Sequence, residues 1–541
     1  MPFVVLSTHC FPLSLFPLPY ILTLRSANRY TVAAVTPEFL DGGEWTLAKN
    51  DSEHINILTQ IQANVSNFER LTPEECVREY TVDFISHRRH VVAVTTLKAA
   101  ENDGNSLLGT LDWEYGKIQN SWVCSATVDD DMLLHPWPID QLDCTVEEAL
   151  SDGFMYIADE EVQFCLSQRV PDVCRLQFSL PIMIIVIACN AIKLVCILLT
   201  LMRNQTTLIT MGDAIDSYLR RPDPTTRGMC TLTMDDVKKG VWLLSPEPRV
   251  WAYRKYFRFK AAGMRRWVST SLFGFLTCVA LAILLYVATQ NTTTNPDIHT
   301  WWSLGFGTVK AASLIRWANP MTGTSGLLRN VLLANLPQLL ISTMYLGYNQ
   351  AYTCMAFASE YTKYFDNQLS LRVSRPKGQQ HNSYFLTLPF RYIIPIMVLS
   401  TTMHFILSQG FFLVAIDVFD LEGNFDAERT IMSVGFSIGA LVVLVALCGA
   451  VVLAAFLAGF RCFPKGIPLV GPCSAAISAA CHVADFEDGV VVAEGKVQWG
   501  VVDVRNRVGH LAFSASLVGK PVPGVYYAGN GDGKYGKGNV G

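Results

Sequence analysis

Charged residues are scarce in this chain of 541 residues, at 16% of the sequence, whereas about 25% is usual for soluble domains. No segment has the concentrated positive charge of a nucleic-acid-binding domain. Half of the residues are hydrophobic, and several apolar runs are long enough to cross a bilayer. Composition therefore predicts a polytopic membrane protein with soluble parts and no nucleic-acid partner.

Basic residues are also absent from the start of the first apolar stretch, residues 1–24, which contains Pro12, Pro17 and Pro19. A secretory signal begins with positive charge, and prolines interrupt a spanning helix. We interpret residues 1–24 as a weak or damaged hydrophobic segment and a doubtful span.

Residues 25–175 have the composition of a soluble domain, and we expect a small α+β extracellular domain there. A threonine cap, a proline and two acids predict a helix start at residues 72–75, and residues 90–97 have the pattern of a strand. The closely spaced Cys165 and Cys174 are the favoured disulfide, although the sequence leaves the connectivity open.

Five apolar runs are predicted to span the membrane. They cover residues 176–202, 268–290, 327–355, 392–416 and 431–460. The last run is longer than a bilayer requires, so we expect it to tilt or protrude.

The charges of the connecting segments predict which side of the membrane each occupies. Residues 203–267 hold thirteen basic residues against six acids, and residues 356–391 hold five against two, which places both loops in the cytosol. Residues 291–326 and the acidic residues 417–430 are then extracellular. We expect a plasma-membrane protein with its ectodomain outside and its carboxyl terminus in the cytosol.

The remaining segments follow this topology. Residues 461–528 are predicted to be a small β-rich cytosolic tail with a hairpin around Glu494, and the glycine-rich residues 529–541 to be disordered. The sequons at Asn64 and Asn291 lie on the predicted outer side, where glycosylation occurs.

The third predicted span carries polar residues at steps of three and four, which places them on one helical face. Other predicted spans contain an amide, an amine and an imidazole. The candidate intramembrane polar site comprises Asn190, Lys193, Asn335, Gln338, Ser342, Tyr345, Asn349 and His404. Such groups either line a site for an ion, proton or small solute, or fasten helices together by hydrogen bonds.

The end of the first cytosolic loop, residues 249–267, contains seven basic residues, six aromatic residues and no acid. This composition is typical of an interfacial helix attracted to anionic headgroups. The candidate lipid-contact residues are Arg254, Lys255, Arg258, Lys260, Arg265 and Arg266.

Three motifs imitate chemical sites without the required context. The G-x-S-x-G motif at residues 435–439 falls inside the last predicted span rather than on a strand–turn–helix. The glycine-rich residues 531–538 lack the Ser or Thr of a phosphate loop. Cysteine and histidine residues of the tail fit no familiar zinc spacing; these are Cys473, Cys481, His482 and His510. We therefore expect no enzymatic activity, metal or cofactor.

Long motifs in the loops and spans resemble a multipass membrane protein family of filamentous fungi that is classified only as a domain of unknown function. They are TLITMGDAIDSYL (207–219), ANLPQLLISTMYLGYNQAYTCMA (334–356), LRVSRPKGQQHNSYFLTLPFRYIIPIM (371–397), PCSAAISAACH (472–482) and QWGVV (498–502). The resemblance implies the membrane topology and supplies no catalytic residue. It also implies that the amino terminus is truncated, because members of the family begin with a further span and outer loop.

The sequence thus predicts an all-α polytopic transmembrane bundle with a small α+β extracellular domain and a small β-rich cytosolic tail. The leading functional hypothesis is a transporter-like or sensor-like protein with a polar intramembrane interior. The alternative is a membrane-anchored scaffold that acts through its ectodomain or tail, with structural polar residues. The expected partners are anionic bilayer headgroups and an unknown solute or protein.

Overall fold

The computed structural model of the protein describes most of the chain. It covers residues 21–47, 52–82, 84–112, 121–123, 126–128, 134–136, 155–171, 175–178, 180–203, 208–240, 247–291, 306–307, 314, 324–384, 386–464, 466–505 and 507–528. Three predictions fall outside these residues: the hydrophobic segment up to residue 20, most of the outer loop 291–326, and the disordered tail 529–541.

The described helices include both long and short elements. In chain order they are α1 (Ser52–Asn64), α2 (Pro73–Tyr80), α3 (Leu180–Met202), α4 (Met211–Arg220), α5 (Met234–Lys238), α6 (Phe259–Ala262), α7 (Met264–Asn291), α8 (Thr324–Lys363), α9 (Phe390–Gly410), α10 (Ile438–Phe460), α11 (Ser474–Ala479) and α12 (Gly489–Glu494).

The described strands lie before, between and after the long helices. They are β1 (Ile21–Asn28), β2 (Thr31–Val35), β3 (Glu69–Leu71), β4 (Arg88–Thr95), β5 (Leu107–Asp112), β6 (Ala126–Val128), β7 (Leu134–Pro136), β8 (Tyr156–Ile157), β9 (Glu160–Arg169), β10 (Arg175–Phe178), β11 (Arg249–Val250), β12 (Leu369–Ser370), β13 (Arg372–Val373), β14 (His381–Asn382), β15 (Phe411–Phe419), β16 (Phe425–Phe436), β17 (Lys496–Arg505), β18 (Val508–Ser514) and β19 (Tyr526–Tyr527).

The predicted all-α fold class is wrong, because the structure is mixed, with 49% helix, 21% strand and several sheets. The clearest reason lies at β15 and β16, which the sequence analysis joined to the neighbouring spans. An apolar run buried on both faces cannot be assigned to helix or strand by periodicity alone. In the structure, Phe411 pairs with Phe436 and Phe419 with Phe425, so these runs form an antiparallel hairpin.

Five helices are long and apolar enough to cross a membrane, which indicates an integral membrane protein. Their candidate spans are Met183–Met202, Met264–Gln290, Arg329–Lys363, Phe390–Gly410 and Ile438–Phe460. Helix α8 has 40 residues, which corresponds to about 60 Å at 1.5 Å per residue. The third predicted span therefore continues, as one helix, into the predicted cytosolic loop.

The chain divides into two compact units. The first comprises residues 1–190, 284–338 and 406–442, and the second comprises residues 191–283, 339–405 and 443–541. Each of the five long helices contributes residues to both units.

In the first unit, a sheet with the strand order β3-β9-β4-β2-β5 carries α1 and α2, and β8 pairs with β9. The helix start predicted at residues 72–75 is confirmed: Thr72 and Glu75 form a reciprocal capping box at the start of α2. The strand predicted at residues 90–97 is observed as β4. Buried Tyr80 and Trp122 pack edge to face below this sheet, with ring centroids 5.8 Å apart.

The predicted disulfide between Cys165 and Cys174 is wrong, because Cys165 has a different partner. Cys165, on β9, is bonded to Cys76, on α2, with 6.1 Å between their Cα atoms. Cys174 lies outside the described residues. Closeness along the chain misled the prediction, because α2 packs against β9 and brings together cysteines 89 positions apart.

In the second unit, a sheet with the order β11-β19-β18-β17-β12 encloses an apolar core with α4, α11 and α12. The hairpin predicted around Glu494 is displaced. Residues Gly489–Glu494 form α12, and the hairpin joins β17 to β18. Asp488 caps α12 by accepting a hydrogen bond from the amide of Val490, which favours helix at this point.

Candidate functional site

A cavity of about 530 Å³ lies in the second unit between α8, α9 and α10. The wall formed by α8 extends from Ile341 to Ser359, a rise of about 27 Å at 1.5 Å per residue. Binding sites for small ligands typically occupy about 300–1,000 Å³. The cavity therefore has the size of a ligand site.

Small side chains on one helix create this space. Ala450, Ala454 and Ala458 recur every four residues on α10 and line the cavity. Across from them, α9 contributes apolar side chains such as Leu399 and Met403. The resulting walls are mainly apolar.

Polar side chains are placed at intervals along the same walls. Tyr345, Asn349 and Tyr352 on α8 and Ser400 on α9 line the cavity. The first two belong to the predicted polar stripe. A mostly apolar cavity with a few polar groups is typical of sites that orient an organic ligand.

Basic residues lie at one end of the cavity. Arg258 and Arg391 both line it, and the Arg391 guanidinium carbon lies 4.8 Å from the ring centroid of Tyr392. Ser359, at the end of the α8 wall, also contacts a second pocket of about 230 Å³. The cavity is thus amphipathic along its length.

The second pocket has several charged side chains on its walls. Lys363, Arg372, His381 and Glu360 line it, and Arg372 Nη2 lies 3.2 Å from Glu360 Oε2. Tyr364 lines it as well, and burial is the main reason that the pKa of its phenol is raised above the ordinary value. This phenol remains neutral at physiological pH and keeps its donor hydrogen.

Two of the sequence motifs, residues 207–219 and residues 371–397, hold the loop that forms this pocket. Asp213 accepts hydrogen bonds from the amide and hydroxyl of Ser374, at 2.7 and 2.8 Å. Thr210 Oγ1 donates to the carbonyl of Arg372 at 2.7 Å, and Gln380 Nε2 donates to Asp216 Oδ1 at 2.6 Å. The loop is therefore attached to α4 at several points.

The other residues of the predicted stripe serve different contacts. Ser342 Oγ lies 3.4 Å from His404 Nε2, which links α8 to α9 within the second unit. Gln338 is buried at 5% exposure, and Asn335 Nδ2 donates to the carbonyl of Val331 at 2.7 Å. The helix-fastening interpretation suits Ser342 and His404 best, whereas Tyr345 and Asn349 line the cavity.

Lys193 and Asn190 are not brought to the cavity. Both are exposed on α3, and none of the residues in the candidate span of α3 is buried. The predicted site is therefore divided between the cavity wall, a contact between helices and an isolated helix surface.

The candidate lipid-contact segment is not one helix. Gly263 adopts a φ of +86°, in the left-handed region, and separates α6 from α7. Exposed side chains dominate the candidate set; they are Arg254, Lys255, Lys260, Arg265 and Arg266. Arg258 is half-buried and lines the cavity instead, with its guanidinium carbon 5.8 Å from the ring centroid of Phe463.

The G-x-S-x-G motif lies at a strand–helix junction rather than inside a span. Phe436 ends β16 and Ile438 begins α10. Ser437 is buried between them at 6% exposure, and its carbonyl accepts a hydrogen bond from the amide of Leu441. We interpret this serine as the start of the helix.

The cysteine and histidine residues of the tail do not form a cluster with the ligands of a metal site in the described part of the chain. Among the described residues, no group of three or more His, Cys, Asp or Glu side chains is placed to hold a metal ion. His482 Nε2 lies 3.0 Å from Thr226 Oγ1. Burial is the main reason that the pKa of His510 falls to about 4, so this imidazole is neutral at pH 7.

Sequence reasoning missed several residues that line the cavity or the second pocket. Arg391 and Lys363 were treated only as loop charges that fix topology, and Tyr348 and Tyr352 were not selected. A usable signal was present, since Arg391 and Tyr392 adjoin the start of an apolar run and Tyr352 follows Asn349 by three residues.

Comparison with known proteins identifies a family without a known activity. No curated protein and no solved structure shows significant similarity to the chain. Residues 243–536, which include α6 to α12 and the cavity, match the family described as domain of unknown function DUF8419. The chain therefore belongs to the DUF8419 family.

Proposed function

We propose that this protein binds a small amphipathic ligand in the cavity between α8, α9 and α10, as a non-enzymatic transporter-like or sensor-like membrane protein. The single observation that carries the proposal is the cavity itself: about 530 Å³, with mainly apolar walls and basic residues at one end. Its wall along α8 belongs to a candidate membrane span, so a ligand can be exchanged with the bilayer.

The proposed orientation places the ectodomain outside the plasma membrane and the carboxyl terminus in the cytosol. Cysteine chemistry supports it, because disulfides form in oxidising compartments. Cys76 and Cys165 of the first unit are bonded, whereas Cys230 and Cys481 of the second unit are free. The exposed Cys462 provides a test: an impermeant maleimide should label it only after cells are permeabilised.

The cavity is tested by filling it. Leu399 lines the cavity, whereas the adjacent Val398 is 60% exposed on the same helix. Leu399→Trp should abolish binding of a fluorescent lysophosphatidylcholine to the purified full-length protein in neutral detergent. Val398→Trp is the matched control and should leave binding unchanged. Equal binding by both variants contradicts a ligand role for the cavity.

A membrane-anchored scaffold is the second candidate, and α3 favours it. Lys193 and Asn190 lie in a candidate span that has no buried residue, although ionisable groups at membrane depth usually face a partner or water. A polar span of another protein would satisfy them. Lys193→Leu should then dissociate a membrane complex on native gels while ligand binding in the cavity is unchanged. An unaltered complex contradicts this role.

A further inference from the structure

The apolar cavity and the second pocket of the second unit lie next to each other. They share four lining residues: Ala356, Ser359, Arg391 and Tyr392. On one side lies a long space with mainly apolar walls, and on the other a space of about 230 Å³ with charged walls. A molecule that fills both must have an apolar tail and a compact polar head.

The charge of the polar side is positive. Glu360 is the carboxylate that lines this pocket, and it is paired with Arg372 at 3.2 Å. Arg372 also donates to the carbonyls of Leu386 and Thr387, at 2.9 and 2.8 Å. Its guanidinium is therefore already engaged within the protein.

Two further cations remain at the pocket. Within the described part of the chain, neither Lys363 nor Arg391 forms an ion pair, and both side chains are exposed. Of the four lining residues that the two pockets share, Arg391 is the charged one, so its charge lies at the junction of head and tail. Ammonium and guanidinium groups together form strong charge-assisted hydrogen bonds to phosphate oxygens.

We propose that the ligand is a phospholipid whose phosphate headgroup carries a net negative charge. Its phosphate lies between Lys363 and Arg391, and an acyl chain extends along the cavity wall from Ser359 towards Ile341. This inference rests on the proposed function, because it names the class of ligand that the cavity takes.

The experiment compares two lipids with different headgroups: that of phosphatidic acid carries a net negative charge, whereas that of phosphatidylcholine is zwitterionic and larger. Full-length protein in neutral detergent is given phosphatidic acid or phosphatidylcholine with identical acyl chains, and bound lipid is counted by native mass spectrometry. The wild-type protein should retain more phosphatidic acid than phosphatidylcholine. Replacement of both cations, K363Q with R391Q, should lower phosphatidic acid binding by about tenfold or more, because the charge-assisted hydrogen bonds to the phosphate are lost.

Matched variants separate charge from folding. Lys363→Arg with Arg391→Lys retains both charges and should preserve binding. Arg375→Gln removes an exposed charge of the same loop that does not line the pocket, and should also preserve it. Loss of binding in the charge-retaining pair or in Arg375→Gln overturns the proposed headgroup site.

The remaining outcomes distinguish the two proposals. One outcome is that the wild-type protein retains both lipids equally and that Leu399→Trp abolishes retention of both. This result overturns the preference for an anionic headgroup but leaves the cavity as a ligand site. Retention of both lipids by Leu399→Trp overturns the proposed function itself. Inorganic phosphate is the third arm: if it binds through Lys363 and Arg391 while phosphatidic acid is not retained, the site takes free phosphate and the lipid proposal fails.

Discussion

Arg372 holds the loop between α8 and α9 against the end of α8, because its guanidinium lies 3.2 Å from the Glu360 carboxylate and also binds two loop carbonyls. The two charged side chains are each 18% exposed. Arg372→Ala should lower the free energy of unfolding by about 1–3 kcal/mol, because Glu360 then loses its partner while partly buried. Thermal unfolding in detergent measures the change.

The adjacent Arg375 provides the control for this prediction. It is exposed, so Arg375→Ala should change stability by less than about 0.5 kcal/mol. Similar melting temperatures for the two variants would show that Arg372 does not hold the loop.

Two glycines of the second unit should respond oppositely to alanine. A Cβ atom at Gly274 would lie 2.5 Å from Tyr348 Oη, whereas a Cβ at Gly449 would meet nothing within 4 Å. Gly274→Ala should destabilise the protein by about 1–3 kcal/mol through overpacking. Gly449→Ala should instead stabilise it by up to about 1 kcal/mol, because alanine favours helix. Melting temperatures shifted in the same direction would contradict this packing.

The disulfide of the first unit closes a long loop. Cys76 and Cys165 are 89 positions apart, and loss of such a bond typically costs about 2–5 kcal/mol. The double variant Cys76→Ser, Cys165→Ser should therefore make the first unit sensitive to limited proteolysis at temperatures that wild type withstands. Peptide mapping without reduction should recover Cys76 joined to Cys165, and a peptide joining Cys165 to Cys174 would contradict the structure.

Local signals in the sequence were sufficient to predict the helices whose formation depends on neighbouring residues. The capping residues Thr72 and Glu75 predicted the start of α2, and long apolar runs identified the five apolar helices. Charge scarcity and run length are properties of neighbouring residues, so one sequence reveals them.

Contacts between residues that are far apart in the chain could not be predicted from such local signals. Cys165 bonds to Cys76 through the packing of α2 on β9, and β15 pairs with β16 although its residues continue an apolar helix. The same limit applies to the site. Tyr345 and Asn349 were found by helical spacing, but the cavity exists because Ala450 and Ala454 face them from another helix.

His90 attaches the tip of the β15–β16 hairpin to the sheet β3-β9-β4-β2-β5 within the first unit. Its Nδ1 accepts a hydrogen bond from the amide of Thr31 at 3.2 Å, and its Nε2 lies 3.1 Å from the carbonyl of Leu421. The accepting Nδ1 must be unprotonated, so the contact with Thr31 requires neutral imidazole. Burial, followed by the charge of Arg89, lowers the pKa of His90 from 6.5 to about 4.

This lowered pKa predicts that the first unit loses stability in weak acid. Between pH 6.5 and 4 the unfolded chain binds a proton at His90 that the folded chain does not, so stability falls as the pH falls, by up to about 3 kcal/mol at pH 4. Hydrogen–deuterium exchange of β4 in the full-length protein, corrected for intrinsic rates, should report weaker protection at pH 5 than at pH 7. His90→Asn removes the titrating group and should remove this difference, although its protection at pH 7 is lower. Equal protection of wild type at both pH values contradicts the assignment of a buried, neutral His90.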